Sequence, residues 1–150
     1  MRVVIQRVST ASVTIDGEMR SSIGTGFMVL LGIETEDTKE DADWLCKKIA
    51  QLRVFPDEHG LMNKDLKDIE GDVLVISQFT LHALYKKGNR PSFIKAARPE
   101  QAIPLYQYFV AQLSALIGKP VATGEFGADM KVALVNDGPV TIVMDSKQPE

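Results

Sequence analysis

The spacing of apolar residues changes four times along the chain, and this alternation restricts the possible folds more than any other feature. The first third has the period-two pattern of β-strands and ends in Phe27–Leu31, a continuous apolar run typical of a strand buried on both faces. Apolar residues three and four positions apart then predict a helix that begins at a capping box of Asp37 and Glu40 and ends near Arg53. Asp72–Ser77 is a second candidate for a buried strand.

The second half of the chain repeats this change of period. A helical stripe covers residues 103–117 and has Gly118 as a natural stop. We expect the regular part of this helix to begin at Pro104, with a short first turn at Pro99 before it. The last segment returns to the strand pattern on both sides of Asn136–Pro139, and these four residues predict a hairpin turn. Along the chain the elements follow in the order strands, helix, strand, helix and strands. This order predicts a mixed α/β fold, with residues 1–150 in a single domain.

The composition excludes several classes of protein. With 45% hydrophobic and 25% charged residues the chain is close to the globular average, and a net charge of −3 does not suit a protein that coats nucleic acids by bulk charge. A single cysteine excludes an internal disulfide and a cysteine-only zinc site, and two histidines are too few for a histidine-rich metal centre. No apolar run is long enough for a membrane span and no targeting signal is visible, so we expect a soluble, cytoplasmic protein without a metal site.

Few side chains are candidates for chemistry. Cys46 lies beside the apolar stripe of the first helix, and no base is visible to activate it, so we expect it to pack in the core. His59 is expected in a solvated loop, and His82 forms no recognisable triad with a serine and a carboxylate. Ser77–Thr80 ends a buried strand with hydroxyls, an amide and consecutive backbone N–H groups, which can form either an oxyanion site or a capped turn.

Positive charge is concentrated in one segment. Between Val73 and Pro99 there is no Asp or Glu. The same segment carries five basic residues: Lys86, Lys87, Arg90, Lys95 and Arg98. A local basic cluster on an acidic protein suits the docking of one phosphate-bearing ligand, although a solvated loop without a partner explains the pattern equally well.

Five segments in register along the chain resemble the D-aminoacyl-tRNA deacylases. Ser77–Leu81 looks like the active-site signature of that family, and Asn136–Thr141 resembles its second signature, the glycine–cis-proline motif. Shorter agreements lie at Met1–Val8, Lys87–Pro91 and Phe126–Ala128. The resemblance implies a homodimer in which a mixed sheet, partly curled into a barrel, is covered by two main helices. It also implies that no metal or organic cofactor is needed.

The activity implied by the resemblance is hydrolysis of the ester that joins a D-amino acid, or glycine, to the terminal ribose of tRNA. The products are the free amino acid and reusable tRNA, which keeps D-residues out of translation. Ser77, Gln78, Phe79 and Thr80 would form the catalytic segment, with backbone N–H groups around Phe79 and Thr80 stabilising the oxyanion. We favour assistance by a ribose hydroxyl of the RNA, with attack by the Thr80 hydroxyl as the competing route.

The remaining implied roles concern substrate selection. Gly138 and Pro139 of the opposite subunit would form a wall that excludes L side chains, and Arg7 would hold that segment in place. Met130 would line the pocket for the terminal adenosine, unless it only packs in the core. The basic residues Lys86, Lys87 and Arg90 would contact the tRNA. Two alternatives stay open: a related deacylase for mischarged L-aminoacyl-tRNA, and a dimeric RNA-binding module without catalysis.

Overall fold

The structure, a computed structural model, describes residues 1–150 and contains eight strands, two helices and a short 3₁₀ turn. The larger sheet has six strands, and the other two strands form a small hairpin. The elements are β1 (Arg2–Ile15), β2 (Glu18–Ile23), β3 (Gly26–Gly32), α1 (Lys39–Gln51), β4 (Phe55–Pro56), β5 (Met62–Lys64), β6 (Asp72–Ser77), the 3₁₀ turn (Phe79–His82), α2 (Pro99–Ile117), β7 (Ala122–Thr123) and β8 (Lys131–Asp145).

The long strand β1 organises the large sheet. Strand β8 pairs antiparallel with β1 from Arg2 to Thr14, while β3 pairs with the first half of β1 and β2 with the second half. Strands β3, β6 and β7 then follow in parallel. The two ends of this sheet meet where Ser21 Oγ of β2 donates a hydrogen bond to the Thr123 carbonyl of β7, at 2.7 Å. The predicted mixed sheet, partly curled into a barrel under two helices, is therefore confirmed.

Two apolar clusters fill the space on either side of this sheet. A cluster of 25 buried residues lies between the sheet and the helices, and a cluster of seven lies on the opposite, inner face. Phe27, Val29 and Leu31 of β3 belong to the first cluster, whereas Met28 belongs to the second. Because successive side chains of a strand point to opposite faces, burial of both faces explains the uninterrupted apolar run. The sequence prediction for this strand is confirmed.

Turn residues behave as their local chemistry predicts. Asp16 and Gly17 join β1 to β2 with φ angles of 51° and 79°, as a two-residue hairpin turn requires. Helix α2 is already regular at Pro99, earlier than the expected start at Pro104, which lies inside the helix. As the first helical residue, Pro99 loses no hydrogen bond through its missing N–H. Gly118 ends α2 in the left-handed conformation, with φ of 76°.

The predicted capping box of α1 is wrong by one residue. Thr38 is the N-cap, and its backbone N–H donates to Asp41 Oδ2 at 2.9 Å. Asp37 lies outside the helix, where its carboxylate accepts from the Glu34 N–H at 2.7 Å and pairs with the Met1 amino group. The predicted pair, Asp37 and Glu40, and the observed pair, Thr38 and Asp41, both offer a capping side chain followed three residues later by an acidic one. The local pattern alone therefore could not choose between them.

The predicted hairpin turn at Asn136–Pro139 is also wrong. These residues lie within β8, which continues along the same strand β1 on both sides of them. Val8 pairs with Asn136 and Gln6 pairs with Thr141, so four residues of β8 (137–140) lie opposite a single residue of β1. We call residues 137–140 the bulge. A bulge re-aims the backbone without ending the strand, and its turn-like residues explain the mistaken prediction.

Neither helix combines the length and the apolar composition that a membrane crossing would need. The structure contains no group of three or more His, Cys, Asp or Glu side chains arranged to hold a metal ion.

Candidate active site

The Ser77–Thr80 segment leaves the sheet at the end of a buried strand. Ser77 pairs with Leu31 of β3, and the next N–H, that of Gln78, donates to the Leu31 carbonyl at 2.7 Å. The chain then bends into the 3₁₀ turn, whose first hydrogen bond runs from the Leu81 N–H to the Gln78 carbonyl at 3.2 Å. The N–H groups of Phe79 and Thr80 precede that bond and are not used within the turn.

The side chains of this segment make few contacts with the rest of the chain. Gln78 Nε2 donates to the Thr80 hydroxyl, and this amide is the only hydrogen-bond partner of that hydroxyl. Phe79 is 54% exposed, and its ring packs edge-on against Phe93 with 5.1 Å between centroids. No histidine or carboxylate is hydrogen-bonded to the Thr80 hydroxyl, so no base is in place to activate it as a nucleophile.

A cavity of about 240 Å³ lies beside the turn. It is lined on one side by Ile76–Phe79 and on the other by Phe126–Met130, with Val132 completing the wall. Met130 also packs against the inner apolar cluster, and a Cβ at Gly124 would overlap its sulfur atom. The structure therefore brings Ser77, Gln78, Phe79 and Met130 around one cavity, and Met130 both lines it and belongs to the core packing.

Arg7 contacts the bulge from the facing strand. Its Nε donates to the Asp137 carbonyl at 3.0 Å, and its Nη1 donates to the Val54 carbonyl at 2.5 Å. A Cβ at Gly138 would lie 2.8 Å from Arg7 Nη2. Gly138 has φ of +129°, in the region that favours glycine, and the Gly138–Pro139 peptide is cis. Arg7 and Gly138 are thus in direct contact.

Asn136 closes the base of the bulge. Its Oδ1 accepts from the Val140 N–H at 3.1 Å, and its Nδ2 donates to the Thr141 hydroxyl at 2.9 Å. The residues at the tip, 137–139, are exposed and line no part of the cavity beside the 3₁₀ turn. Within one chain, the bulge and the Ser77–Thr80 segment are therefore separate features.

The predicted tRNA-binding residues lie in a loop that directly follows the 3₁₀ turn. Leu84 and Ser92 exchange two backbone hydrogen bonds, of 2.8 and 2.9 Å, which close the loop at its base. Lys86, Lys87 and Arg90 are exposed between these two residues. None of the three pairs with a carboxylate, so their charge is available to a ligand.

Cys46 and the two histidines do not form a reactive group. Burial raises the pKa of Cys46 to about 12, and its thiol donates to the Phe109 carbonyl at 3.3 Å, as core packing predicts. His59 is exposed in the β4–β5 hairpin. His82 is the last residue of the 3₁₀ turn, and its side chain is buried with Nε2 3.0 Å from the Gly32 carbonyl oxygen.

Sequence reasoning missed two residues that hold the turn. Arg2 Nη1 donates to the Leu81 carbonyl at 2.9 Å, and His82 joins the turn to Gly32 of β3. Arg2 lies 79 residues from Leu81 along the chain, and no short motif joins residues at that separation. Only the pairing of β1 with β3 places the arginine beside the turn.

Comparisons with known proteins identify the family of the chain. The family described as D-Tyr-tRNA(Tyr) deacylase matches residues 4–145. A curated relative from Phocaeicola vulgatus, named D-aminoacyl-tRNA deacylase, is 67% identical over 150 residues, and the alignment covers the whole of both chains. A solved structure named c-Myc DNA Unwinding Element Binding Protein is 44% identical, with a TM-score of 0.90 over 97% of this chain and 98% of the other.

A second solved structure shows how far the fold extends beyond close sequence similarity. It is described as a probable eukaryotic D-amino acid tRNA deacylase and is 17% identical, with a TM-score of 0.79 over 95% of this chain and 97% of that chain. At that identity the likeness shows the shared fold alone. The family match over nearly all residues and the high identity of the bacterial relative together identify the group: the chain belongs to the D-Tyr-tRNA(Tyr) deacylase family.

Proposed function

We propose that this chain hydrolyses the ester of D-aminoacyl-tRNA and glycyl-tRNA at the 3₁₀ turn, with the backbone N–H groups of Phe79 and Thr80 as the oxyanion site. The observation that carries the proposal is the pair of N–H groups left unused by the turn, one of which belongs to Phe79, a residue that lines the cavity; Thr80 follows Phe79 and does not itself line it. As a family member the chain is a hydrolase that acts on the ester bond of D-aminoacyl-tRNA.

The chemistry needs little beyond positioning and charge stabilisation. Water adds to the ester carbonyl carbon, the carbonyl oxygen becomes an oxyanion, and collapse breaks the bond to the ribose oxygen, which takes up the proton. Removal of one oxyanion donor from other hydrolases costs about 10²–10³ in kcat. Two N–H groups at fixed positions therefore account for much of the catalysis expected of this site.

We favour a hydroxyl of the terminal ribose, rather than Thr80, as the group that helps to activate water. The Thr80 hydroxyl is bonded only to the Gln78 amide, which cannot take up a proton. A neighbouring ribose hydroxyl is held beside the ester by the substrate itself. Ser77 and Gln78 are then residues that hold the end of the strand, and Met130 is the residue that contacts the terminal adenosine.

Selection against L-amino acids is proposed to need a second copy of the chain. The tip of the bulge is exposed and lies apart from the cavity of its own chain, so it is free to enter the site of a partner. Gly138 and Pro139 would then face the substrate α-carbon with backbone atoms only, and an L side chain would clash with them. Glycine has no side chain and would be accepted. The proposed assembly is a homodimer.

Binding of tRNA is assigned to the loop that follows the turn. Lys86, Lys87 and Arg90 lack carboxylate partners and lie next to the proposed catalytic segment in sequence. Cations in such a loop would bind the phosphates near the 3′ end of the RNA. Because its substrate takes part in translation, we expect the protein to act in the cytoplasm.

The test is a deacylation assay with matched D-aminoacyl-, L-aminoacyl- and glycyl-tRNA. Rapid hydrolysis of the D and glycyl esters, with the L ester spared, is the expected result. Rapid hydrolysis of the L ester would instead indicate a deacylase for mischarged L-aminoacyl-tRNA. Nucleic-acid binding without any turnover would support a binding module. The exposed basic loop, together with the 44% identical structure named as a DNA-binding protein, makes such a module the second candidate.

A further inference from the structure

We infer that Arg2 and His82 are positioning residues that hold the 3₁₀ turn at its far end, and this inference rests on the proposed function. Both residues contact the last part of the turn, whereas the proposed oxyanion groups lie in its first part. Neither residue lines the cavity beside the turn. They would act on catalysis only through the backbone between them and Thr80.

Arg2 connects the turn to the end of β8. Its Nη1 donates to the Leu81 carbonyl at 2.9 Å, and its Nε donates to Asp145 Oδ2 at 2.9 Å. Partial burial acts to raise the pKa of Asp145, but hydrogen bonds from Arg2 and from the Lys147 N–H outweigh it and keep the pKa below its usual value. The carboxylate stays ionised and fixes the plane of the guanidinium, so the second donor keeps its direction toward Leu81.

His82 connects the turn to β3. The side chain is buried, and because the Gly32 carbonyl can only accept, the ring nitrogen Nε2 carries the proton of their 3.0 Å hydrogen bond. On the other side of the ring, Nδ1 lies 3.4 Å from Glu34 Oε2. A Cβ at Gly32 would lie only 3.0 Å from the Gln78 carbonyl oxygen, so the turn rests directly on the end of β3.

These contacts fix both ends of a four-residue turn. The first end is held by the Gln78 N–H bonded to the Leu31 carbonyl, and the second by Arg2 and His82. Release of the second end lets the turn rotate and moves the N–H groups of Phe79 and Thr80. Oxyanion donors act only when they lie about 2.7–3.1 Å from the developing charge, so rotation weakens transition-state binding more than substrate binding.

The test compares Arg2→Gln and His82→Leu with two reference variants. His82→Gln keeps an N–H donor in place of Nε2, so it should restore most of the activity that His82→Leu loses. Lys119→Gln is the matched control. Like Arg2, Lys119 contacts both a carboxylate and a backbone carbonyl: its Nζ donates to Asp72 Oδ1 at 2.9 Å and to the Glu70 carbonyl at 3.1 Å. These contacts lie at the opposite end of β6 from the turn.

The expected kinetic result is specific to kcat. Arg2→Gln and His82→Leu should lower kcat about 10- to 100-fold with KM within about twofold of wild type, since only transition-state contacts are lost. Lys119→Gln should keep the wild-type kcat. Equal losses of kcat in His82→Leu and His82→Gln, or a rise in KM that accounts for the whole effect, would overturn the inference.

Amide hydrogen exchange provides a readout that does not depend on turnover. The Leu81 and Ala83 N–H groups close the turn, with bonds of 3.2 Å to the Gln78 and Thr80 carbonyls. Their exchange should be about tenfold faster or more in Arg2→Gln and His82→Leu, and unchanged in Lys119→Gln. Unchanged protection would overturn the inference. If the variants lose protection but the wild-type protein hydrolyses no ester, the structural role of Arg2 and His82 is supported and the proposed function is refuted.

Discussion

Substitution of Gly138 by alanine is the sharpest test of the role proposed for the bulge. Its φ of +129° belongs to a region that other residues rarely adopt, at a cost of about 1–3 kcal/mol. The added methyl group would lie 2.8 Å from Arg7 Nη2 and 3.1 Å from Val140 Cγ2. Either the tip of the bulge shifts, or the Arg7 guanidinium shifts and weakens its hydrogen bonds to the Asp137 and Val54 carbonyls; in both cases the contact that holds the tip is disturbed.

The assay measures hydrolysis of D- and L-aminoacyl-tRNA by wild type and Gly138→Ala, together with thermal unfolding. The cost of the backbone conformation should lower Tm by about 2–4 °C for each kcal/mol in a domain of this size. Displacement of the proposed chiral wall should reduce the ratio of D to L hydrolysis at least about tenfold, which corresponds to about 1.4 kcal/mol of lost discrimination.

Gly17→Ala separates the loss of stability from the loss of selectivity. Gly17 also has a positive φ, 79°, but nothing lies within 4 Å of a Cβ at that position. This variant should lose about 1–2 kcal/mol of stability, as left-handed conformations cost other residues, and keep the wild-type selectivity. A folded Gly138→Ala protein that discriminates D from L as well as wild type would refute the wall.

Three further predictions test the other parts of the site. Thr80→Val should reduce kcat less than about tenfold if backbone groups bind the oxyanion, whereas a loss of about 10³ or more would make the hydroxyl the nucleophile. Reversal of the three loop charges, at Lys86, Lys87 and Arg90, should reduce the slope of log K against log salt for tRNA binding by about 2–3, and an unchanged slope would remove the loop from the interface. Cys46, with its pKa raised to about 12 by burial, should stay un-ionised at pH 8 and resist iodoacetamide until the protein is unfolded; alkylation of the native protein would contradict its burial.

Much of the fold could be predicted because the longer strands and both helices carry their own local signals, whereas the short strands β4, β5 and β7 do not. The strand at Phe27–Leu31 is apolar on both faces since it has one cluster above it and one below it. The end of α2 could be predicted at Gly118, whose backbone preference acts without any partner, whereas its regular part begins at Pro99 and not at the predicted Pro104. Closure of the sheet, by contrast, depends on the contact of β2 with β7, and no sequence pattern reports it.

The site could be predicted only in part, for the same physical reason. Ser77–Thr80 stands out as a polar end to a buried strand, and the structure places it beside a cavity. The bulge has the sequence of a turn because Asn, Asp, Gly and Pro favour both structures, and only its partner strand distinguishes them. Arg2 carries no local signal, since its contact with Leu81 exists only after β1 and β3 have paired.

The residues on both sides of the bulge are paired with β1, so the length of the bulge can change without a change in the packing of the sheet. Val8 and Gln6 hold Asn136 and Thr141 at fixed places, whatever number of residues joins them. Insertion or deletion within residues 137–140 would change how far the chain reaches outward, while every side chain of β8 beyond them keeps its face. Evolution can therefore adjust the reach of this segment toward a neighbouring molecule without rebuilding the barrel that carries it.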